Sequence, residues 1–488
     1  MARQAARIAP PLLVLISIGF AVTYGLGALQ RIAYPYDVEF VEDGMLMQAM
    51  RVAAGRPVFL PPSAEFAPHV YMPLYTWLGG LLVRWAGLGY APLRLLSFAA
   101  TLATATVLYA VGRRESGQPW VGVACAGLFV AGYSITGGWY DLARVDALFL
   151  AFSLAGAAVA VYCRASPSGL IGSGLLLGFA FLTKQNGLFV ALAAAVHLAF
   201  AARWRVGLFV AAFVVAGILP VGLTQTATDG WFGYYAFGIA YASPIETARL
   251  AQTLRSEWLG SMAPLSISFV LAGWLVLRRG ASGWPWLLFA ATAALISLAG
   301  RSSVGGNLNN LMPGYAFLCL MPSLLVRQFA RSIRARLLIV AAIFVQFSLC
   351  VYNPVRYLPT EDMRAAGDSL IARIAAIDGD VLVMMHPLYA VLAGKSPSAQ
   401  IAAMWHARWR GRDPLPPDFV QRIEQRAYAA IISDESEFFE FDPALAKLLE
   451  ANYERSTRLT ERDAPPTLTG LVVRPKMIWT PRRSSAGD

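Results

Sequence analysis

Charge is scarce in this chain of 488 residues: Asp, Glu, Lys and Arg together make 14%, against 57% hydrophobic residues. That balance excludes an ordinary soluble protein. Lysine is nearly absent, with only Lys184, Lys395, Lys447 and Lys476. The net charge of +11 is therefore mostly arginine. Much of it lies in short loops between apolar runs, so it does not indicate nucleic-acid binding. The cysteines, Cys125, Cys163, Cys319 and Cys350, fall within or at the ends of apolar runs and form no CxxC pair. Zinc and dithiol redox motifs are thereby unsupported. No internal repeat is evident, so the inverted symmetry of many transporters has no support.

What is there is apolar length. Runs at 10–30, 91–112, 119–137, 146–163, 168–183, 186–202, 206–223, 262–278, 284–300, 309–326 and 336–352 predict about eleven crossings. The first run is too long for a signal peptide and lacks a small-x-small cleavage site, so it reads as an uncleaved anchor. Arginine collects at Arg113–Arg114, Arg164, Arg203 and Arg205, Arg278–Arg279, and from Arg327 to Arg336. These loops are inner by the positive-inside rule. The N-terminus is then cytoplasmic, and residues 353–488 lie outside, in the periplasm of a bacterial inner membrane. The expected fold class is a mainly α-helical polytopic membrane protein. It comprises a transmembrane domain (1–352) and a small C-terminal α/β domain (353–488).

The first outer loop, residues 31–90, concentrates what charge there is. Asp37, Glu39, Glu42 and Asp43 stand in YPYDVEFVEDGMLMQAMRVAAG. Gly44 to Ala54 predicts a short amphipathic helix stopped by Gly55-Arg56-Pro57. Tyr71 to Ala86 predicts a helix along the interface; its alternative is a further crossing, which would invert the charge rule. Trp231, Phe232, Tyr234, Tyr235, Phe237 and Tyr241 form an aromatic string, either an interfacial anchor or the wall of a lipid groove. In the tail, 381–385, 429–432 and 471–474 read as strands, and Glu361 to Ala376 and Pro443 to Glu454 as helices.

Several of these segments, in order, resemble the GT-C superfamily of polytopic glycosyltransferases, the aminoarabinose transferases and protein mannosyltransferases among them. EDGMLMQAMRVAAGRPVF and HVYMPLYTWLGGLLVRWAG resemble their acidic outer loop. APLRLLSF, LARVDALFLAF, LLLGFAFLTKQNGLFV and GGNLNNLMPGYAFLCL resemble later elements, and GDVLVMMHPLYAVLAGK loosely resembles the outer domain of some members. The resemblance implies transfer of a sugar from a polyprenyl-phosphate carrier to an envelope lipid, glycan or protein acceptor. It implies no cofactor; metal independence is the default, although two acids such as Asp37 and Glu39 can hold a divalent ion. The acidic pair here is Glu42-Asp43, where many relatives have Asp-Glu or Asp-Asp, so which carboxylate acts stays open.

An inverting transfer needs a carboxylate to take the acceptor proton and cations to stabilise the departing phosphate. Asp43 is the first candidate base and Glu42 the second; the alternative is a plain helix cap. Lys184 is the sharpest phosphate-binding candidate, because an interfacial lysine wants an anion; snorkelling is the alternative. Arg94, Arg144 and Arg301 are further outer cations that can grip phosphate, with Arg144 alternatively paired to Asp141 or Asp146. Asp37, Glu39, His69, Tyr71, Asn307 and Asn310 are candidates for binding sugar or acceptor, the asparagines alternatively as helix caps. A lipid-linked glycan flippase, or a ligase or polymerase of whole glycans, stands as the competing function.

Overall fold

The computed structural model describes residues 2–240, 242–280, 283–410, 412–434 and 442–483. Helix α1 (Ala2–Ala33) is followed by an irregular stretch and α2 (Phe40–Ala53), then α3 (Leu74–Ala86), α4 (Ala91–Ser116) and α5 (Pro119–Ala131). Next come α6 (Val145–Tyr162), α7 (Pro167–Thr183) and α8 (Gly187–Ala202). Local chemistry sets the boundaries. Glu39 is extended and its carboxylate accepts from the Val41 amide, capping α2 four residues before the expected start. Ser166 caps α7 by accepting from Gly169, and at Lys184 the backbone leaves the helix for an extended conformation. Gly117, at φ +70°, ends α4 so that Pro119 can open α5.

Every expected apolar run overlaps helix, but the run at 119–137 is helical only to Ala131, and not every run is one long rod. Among the described residues, five stretches are long and apolar enough to cross a bilayer: Arg7–Ala33, Ala91–Ser116, Val145–Tyr162, Gly187–Ala227 and Trp284–Ser302. Gly187–Ala227, at 41 residues, serves two of the expected runs, because Arg203 breaks it at φ +53°. Helix α5 is short, and the run at 309–326 is divided into Met312–Leu318 and Met321–Gln328, each begun by a proline at its second position. Helix α3 has 13 residues, about 20 Å at 1.5 Å per residue. It is too short to span, and it packs on α2 and α4.

The C-terminal unit carries a four-stranded mixed sheet in the order β1 (Asp380–Val383), β2 (Tyr428–Ser433), β4 (Met477–Pro481), β3 (Tyr453–Arg458). The β1–β2 pair is parallel and the other two pairs are antiparallel. Residues 471–474 are not a strand. Gly470 turns at φ +74°, and Thr467 closes a loop through its amide to the Val473 carbonyl at 2.9 Å. The helix expected to reach Glu454 ends at Asn452, where β3 begins.

This unit sits on the acidic loop. The amides of Leu468 and Thr469 both donate to the Val38 carbonyl at 2.9 Å. Tyr36 stacks on Tyr389 at 5.2 Å, and its hydroxyl reaches Asp368. Members of the aromatic string pack on protein: Tyr234 donates to Ala407 O, Tyr235 to Leu60 O, and Phe232 packs on Phe59. Tyr241 lies outside the described residues.

Candidate functional site

The loop before α2 and the first turns of α2, α4 and α6 meet at one end of the helices, and their charges are sorted into pairs. Glu42 and Arg94 are both fully buried. Glu42 Oε1 accepts from Arg94 Nε (2.9 Å) and the Ala143 amide (2.7 Å), and Oε2 from Arg94 Nη2 (2.7 Å) and the Val38 amide (2.9 Å). Arg94 gives its remaining hydrogens to the carbonyls of Arg31, Tyr34 and Tyr36, each at 2.7 Å. Burial works against ionised Glu42, but Arg94 and the two amides outweigh it and hold its pKa below the ordinary value. This corrects two expectations. Glu42 has no free lone pair with which to take a proton, and Arg94 has no hydrogen left for a phosphate.

Arg144, the N-cap of α6, pairs with neither Asp141 nor Asp146. Its Nη1 meets Glu39 at 2.5 Å, and its Nη2 donates to the Tyr71 hydroxyl at 2.6 Å. Its Nε has no partner among the described residues. Burial pushes the Glu39 carboxyl up to about 7 against the pull of Arg144, and burial lifts Tyr71 to about 12. Asp141 instead takes Arg31, at 3.2 Å. Asp146, in the first turn of α6, takes Lys184 Nζ at 2.6 Å and Asn309 Nδ2 at 3.1 Å, both on Oδ1. The Lys184 ammonium has three hydrogens and this one carboxylate partner.

Of the three asparagines in this loop, Asn309 reaches Asp146. Asn307 caps its own turn through Leu308 N at 2.7 Å, and Asn310 donates to the Asn307 carbonyl at 3.2 Å. Arg301 binds Glu257 at 3.4 Å and the Gly306 carbonyl at 3.0 Å, contacting none of the paired acids above. His69 Nε2 lies 2.8 Å from Gln400 Oε1. Gln400 spends its amide hydrogens on the carbonyls of Phe40 and Met385, so Oε1 is the acceptor and His69 the donor. Burial drives the His69 pKa down to about 3, so the ring is neutral.

Asp43 is the exception among the acids. It is completely buried. Its Oδ2 accepts from the Leu388 amide at 3.2 Å, and its Oδ1 has no partner among the described residues. Burial and the neighbouring Asp37 push its pKa well up, against the opposing pull of His386, the Leu388 amide and the Tyr90 hydroxyl. Asp37 Oδ2 contacts His386 Nδ1 at 2.8 Å, and His386 Nε2 contacts Asp434 Oδ2 at 3.0 Å. Burial disfavours a charged imidazole, but the two carboxylates outweigh it and raise the His386 pKa. Sequence reasoning passed over His386 and Asp434. The histidine stood inside a quoted motif, but nothing in its spacing points 349 positions back to Asp37. Asp37 and Glu39 face separate cations, and among the described residues no group of three His, Cys, Asp or Glu is arranged to hold a metal ion.

Asp43 and Lys184 belong to the same end of the bundle. Lys184 holds Asp146, Asp146 is two residues from Arg144, Arg144 holds Glu39, and Glu39 caps the helix whose first turn carries Asp43. The arrangement places a carboxylate with one unused oxygen near a group of cations, the components of a general-base displacement at a phosphate-bearing carbon.

A family model described as dolichyl-phosphate-mannose-protein mannosyltransferase matches residues 68–225, less than half of the chain. That window holds His69, Tyr71, Arg94, Arg144 and Lys184. Among solved structures, ArnT from Cupriavidus metallidurans bound to undecaprenyl phosphate is similar at TM-score 0.60 and 12% identity, covering 98% of this chain and 99% of that one. The apo form of the same protein gives 0.58 at 13% identity, with 98% and 99% covered. The archaeal oligosaccharyltransferase AglB from Archaeoglobus fulgidus, in complex with an inhibitory peptide and a dolichol-phosphate, gives 0.51 at 10% identity, covering 98% of this chain and 74% of that one. No curated protein matches by sequence.

Proposed function

We propose that this chain is a membrane glycosyltransferase that carries out inverting transfer of a sugar from a polyprenyl-phosphate carrier to an acceptor hydroxyl or amine. The acceptor is an envelope lipid, glycan or protein. Transfer takes place at the outer face of a bacterial inner membrane, with the N-terminus cytoplasmic and residues 353–488 periplasmic. The observation that carries the reading is the contrast within one acidic pair: Glu42 is saturated by four hydrogen bonds, while Asp43 keeps Oδ1 free.

In this reaction the acceptor heteroatom attacks the anomeric carbon from the face opposite the carrier. The bond from that carbon to the phosphate oxygen breaks, and the electron pair leaves with the polyprenyl phosphate. The acceptor proton passes to Asp43. Burial beside Asp37 raises the proton affinity of Asp43, as suits a base that must hold the proton it takes. Lys184 neutralises the departing phosphate with its spare hydrogens, and Arg144 contributes through its unpartnered Nε. Arg301 is a further phosphate contact, with an unpartnered Nε of its own. Tyr71, fixed by Arg144, and His69, fixed by Gln400, line the approach for sugar and acceptor.

The test is donor turnover by the full chain in lipid nanodiscs supplied with a bacterial envelope extract as the source of lipid, glycan and protein acceptors, read as release of undecaprenyl phosphate from undecaprenyl-phosphate mannose, glucose or aminoarabinose. Asp43→Asn and Lys184→Ala should each abolish release while the protein stays inserted. Turnover that survives both changes refutes the assignment.

A further inference from the structure

His386 opens the short helix Pro387–Leu392 of the C-terminal unit, and its ring is buried between two carboxylates from different parts of the molecule. Nδ1 faces Asp37 of the loop before α2, and Nε2 faces Asp434, just past the end of β2. Two residues on, the Leu388 amide reaches Asp43. One three-residue stretch, His386-Pro387-Leu388, thus touches both Asp37 and Asp43, the two acids of the loop that no arginine holds among the described residues. Arg94 is spent on Glu42 and Arg144 on Glu39, while Arg31 is on Asp141.

Two buried neighbouring carboxylates with no cation tend to share one proton. A base in that condition is already occupied. The groups that face the imidazole are Asp37, Asp434, Asp43 across from Leu388, and Tyr389 on its own helix, with Tyr34, Tyr36 and Tyr90 behind these acids. None of them is a cation.

We propose that His386 is a positioning residue supplied by the C-terminal unit, which binds Asp37 to itself so that Asp43 keeps its free oxygen for the acceptor. Asp434 orients the ring from behind, the part a third group plays toward a histidine in hydrolytic triads. His386 touches neither donor nor acceptor. The inference rests on the glycosyltransferase reading and gives the C-terminal unit a share in the chemistry rather than a covering role.

The experiment compares wild type, His386→Gln and Asp434→Asn as full chains in nanodiscs, with undecaprenyl phosphate release followed across pH for the same three donors and the same acceptor extract. His386→Gln should leave KM for the donor unchanged. It should lower kcat about ten-fold or more at neutral pH and move the acidic limb of kcat upward by about 1–3 pH units, so that activity returns in alkali. Asp434→Asn should move the same limb in the same direction by less, and it carries the test if His386→Gln does not insert. Wild-type pH profiles in the variants, or a loss of kcat that alkali does not restore, overturn the inference while leaving the base assignment standing. A wild type that releases nothing from any donor overturns the glycosyltransferase reading and this inference with it.

Discussion

Glu42 and Arg94 face each other through two parallel hydrogen bonds of 2.9 and 2.7 Å with no exposed surface on either side chain. The guanidinium also gathers three carbonyls of the chain leading out of α1. This pair is the frame on which the acidic loop is built, and it separates residues that hold the site from residues that act in it.

Breaking the frame should show as lost folding. Arg94→Ala leaves Glu42 buried and unpaired, which costs about 3–5 kcal/mol. The variant should show a sharply lowered thermal midpoint in detergent, by intrinsic fluorescence. An Arg94→Ala protein with wild-type stability and no activity would return Arg94 to the catalytic set.

Asp43 should behave in the opposite way. Asp43→Asn removes a base and keeps the shape, so turnover should fall about 10²–10⁴-fold with the thermal midpoint nearly unchanged. Equal losses of stability in Asp43→Asn and Arg94→Ala would remove the distinction.

Lys184→Ala should act on the donor. The lost charge-assisted hydrogen bond is worth about 1.5–3 kcal/mol. Affinity for undecaprenyl phosphate, titrated by microscale thermophoresis, should drop by roughly ten-fold to a hundred-fold. Lys184→Arg should recover part of it. Unchanged affinity in the alanine variant would place the carrier phosphate elsewhere.

The pH dependence has a definite sign. The Asp43 pKa is raised by burial and by Asp37, so the active carboxylate form appears only above that raised value, and activity climbs with pH through it. His69, lowered to about 3 by burial, stays neutral throughout this range. His69→Gln should therefore leave the shape of the profile intact. A limb that vanishes in that variant would mean that His69 is the titrating group.

Gly44 lies one residue past Asp43. A Cβ added there would stand 2.0 Å from His69 Nε2 and 2.7 Å from Gln400 Oε1. Gly44→Ala must push that hydrogen-bonded pair aside, at about 1–3 kcal/mol. Loss of stability in Gly44→Ala together with reduced turnover is expected, and Gly55→Ala, in open space but at φ +68°, should cost stability through backbone strain alone.

The helices were largely legible in the sequence, because apolar length acts locally along the chain. Partner choice was not. Arg144 had Asp141 and Asp146 within two or three positions and took Glu39 instead, 105 residues away, since α2 delivers that carboxylate across the mouth of α6. Asn309 rather than Asn307 or Asn310 met Asp146 because a single 3₁₀ turn, Leu308–Leu311, decides which asparagine points inward. The sheet was read in part. VLV and AAII announced β1 and β2, but β3 is the polar run YERSTR, exposed after its first residue. The apolar LVV that resembled a strand follows Gly470, whose conformation turns it into a loop.

The carbonyl of Val38, beside Asp37, is held by the amides of Leu468 and Thr469. The acids are made early in synthesis, and the backbone that fastens them is made more than four hundred residues later. A chain still being synthesised therefore carries its acidic loop unfastened. The buried order around Asp37 and Asp43 is withheld from a half-made molecule until the late residues have folded back onto the loop.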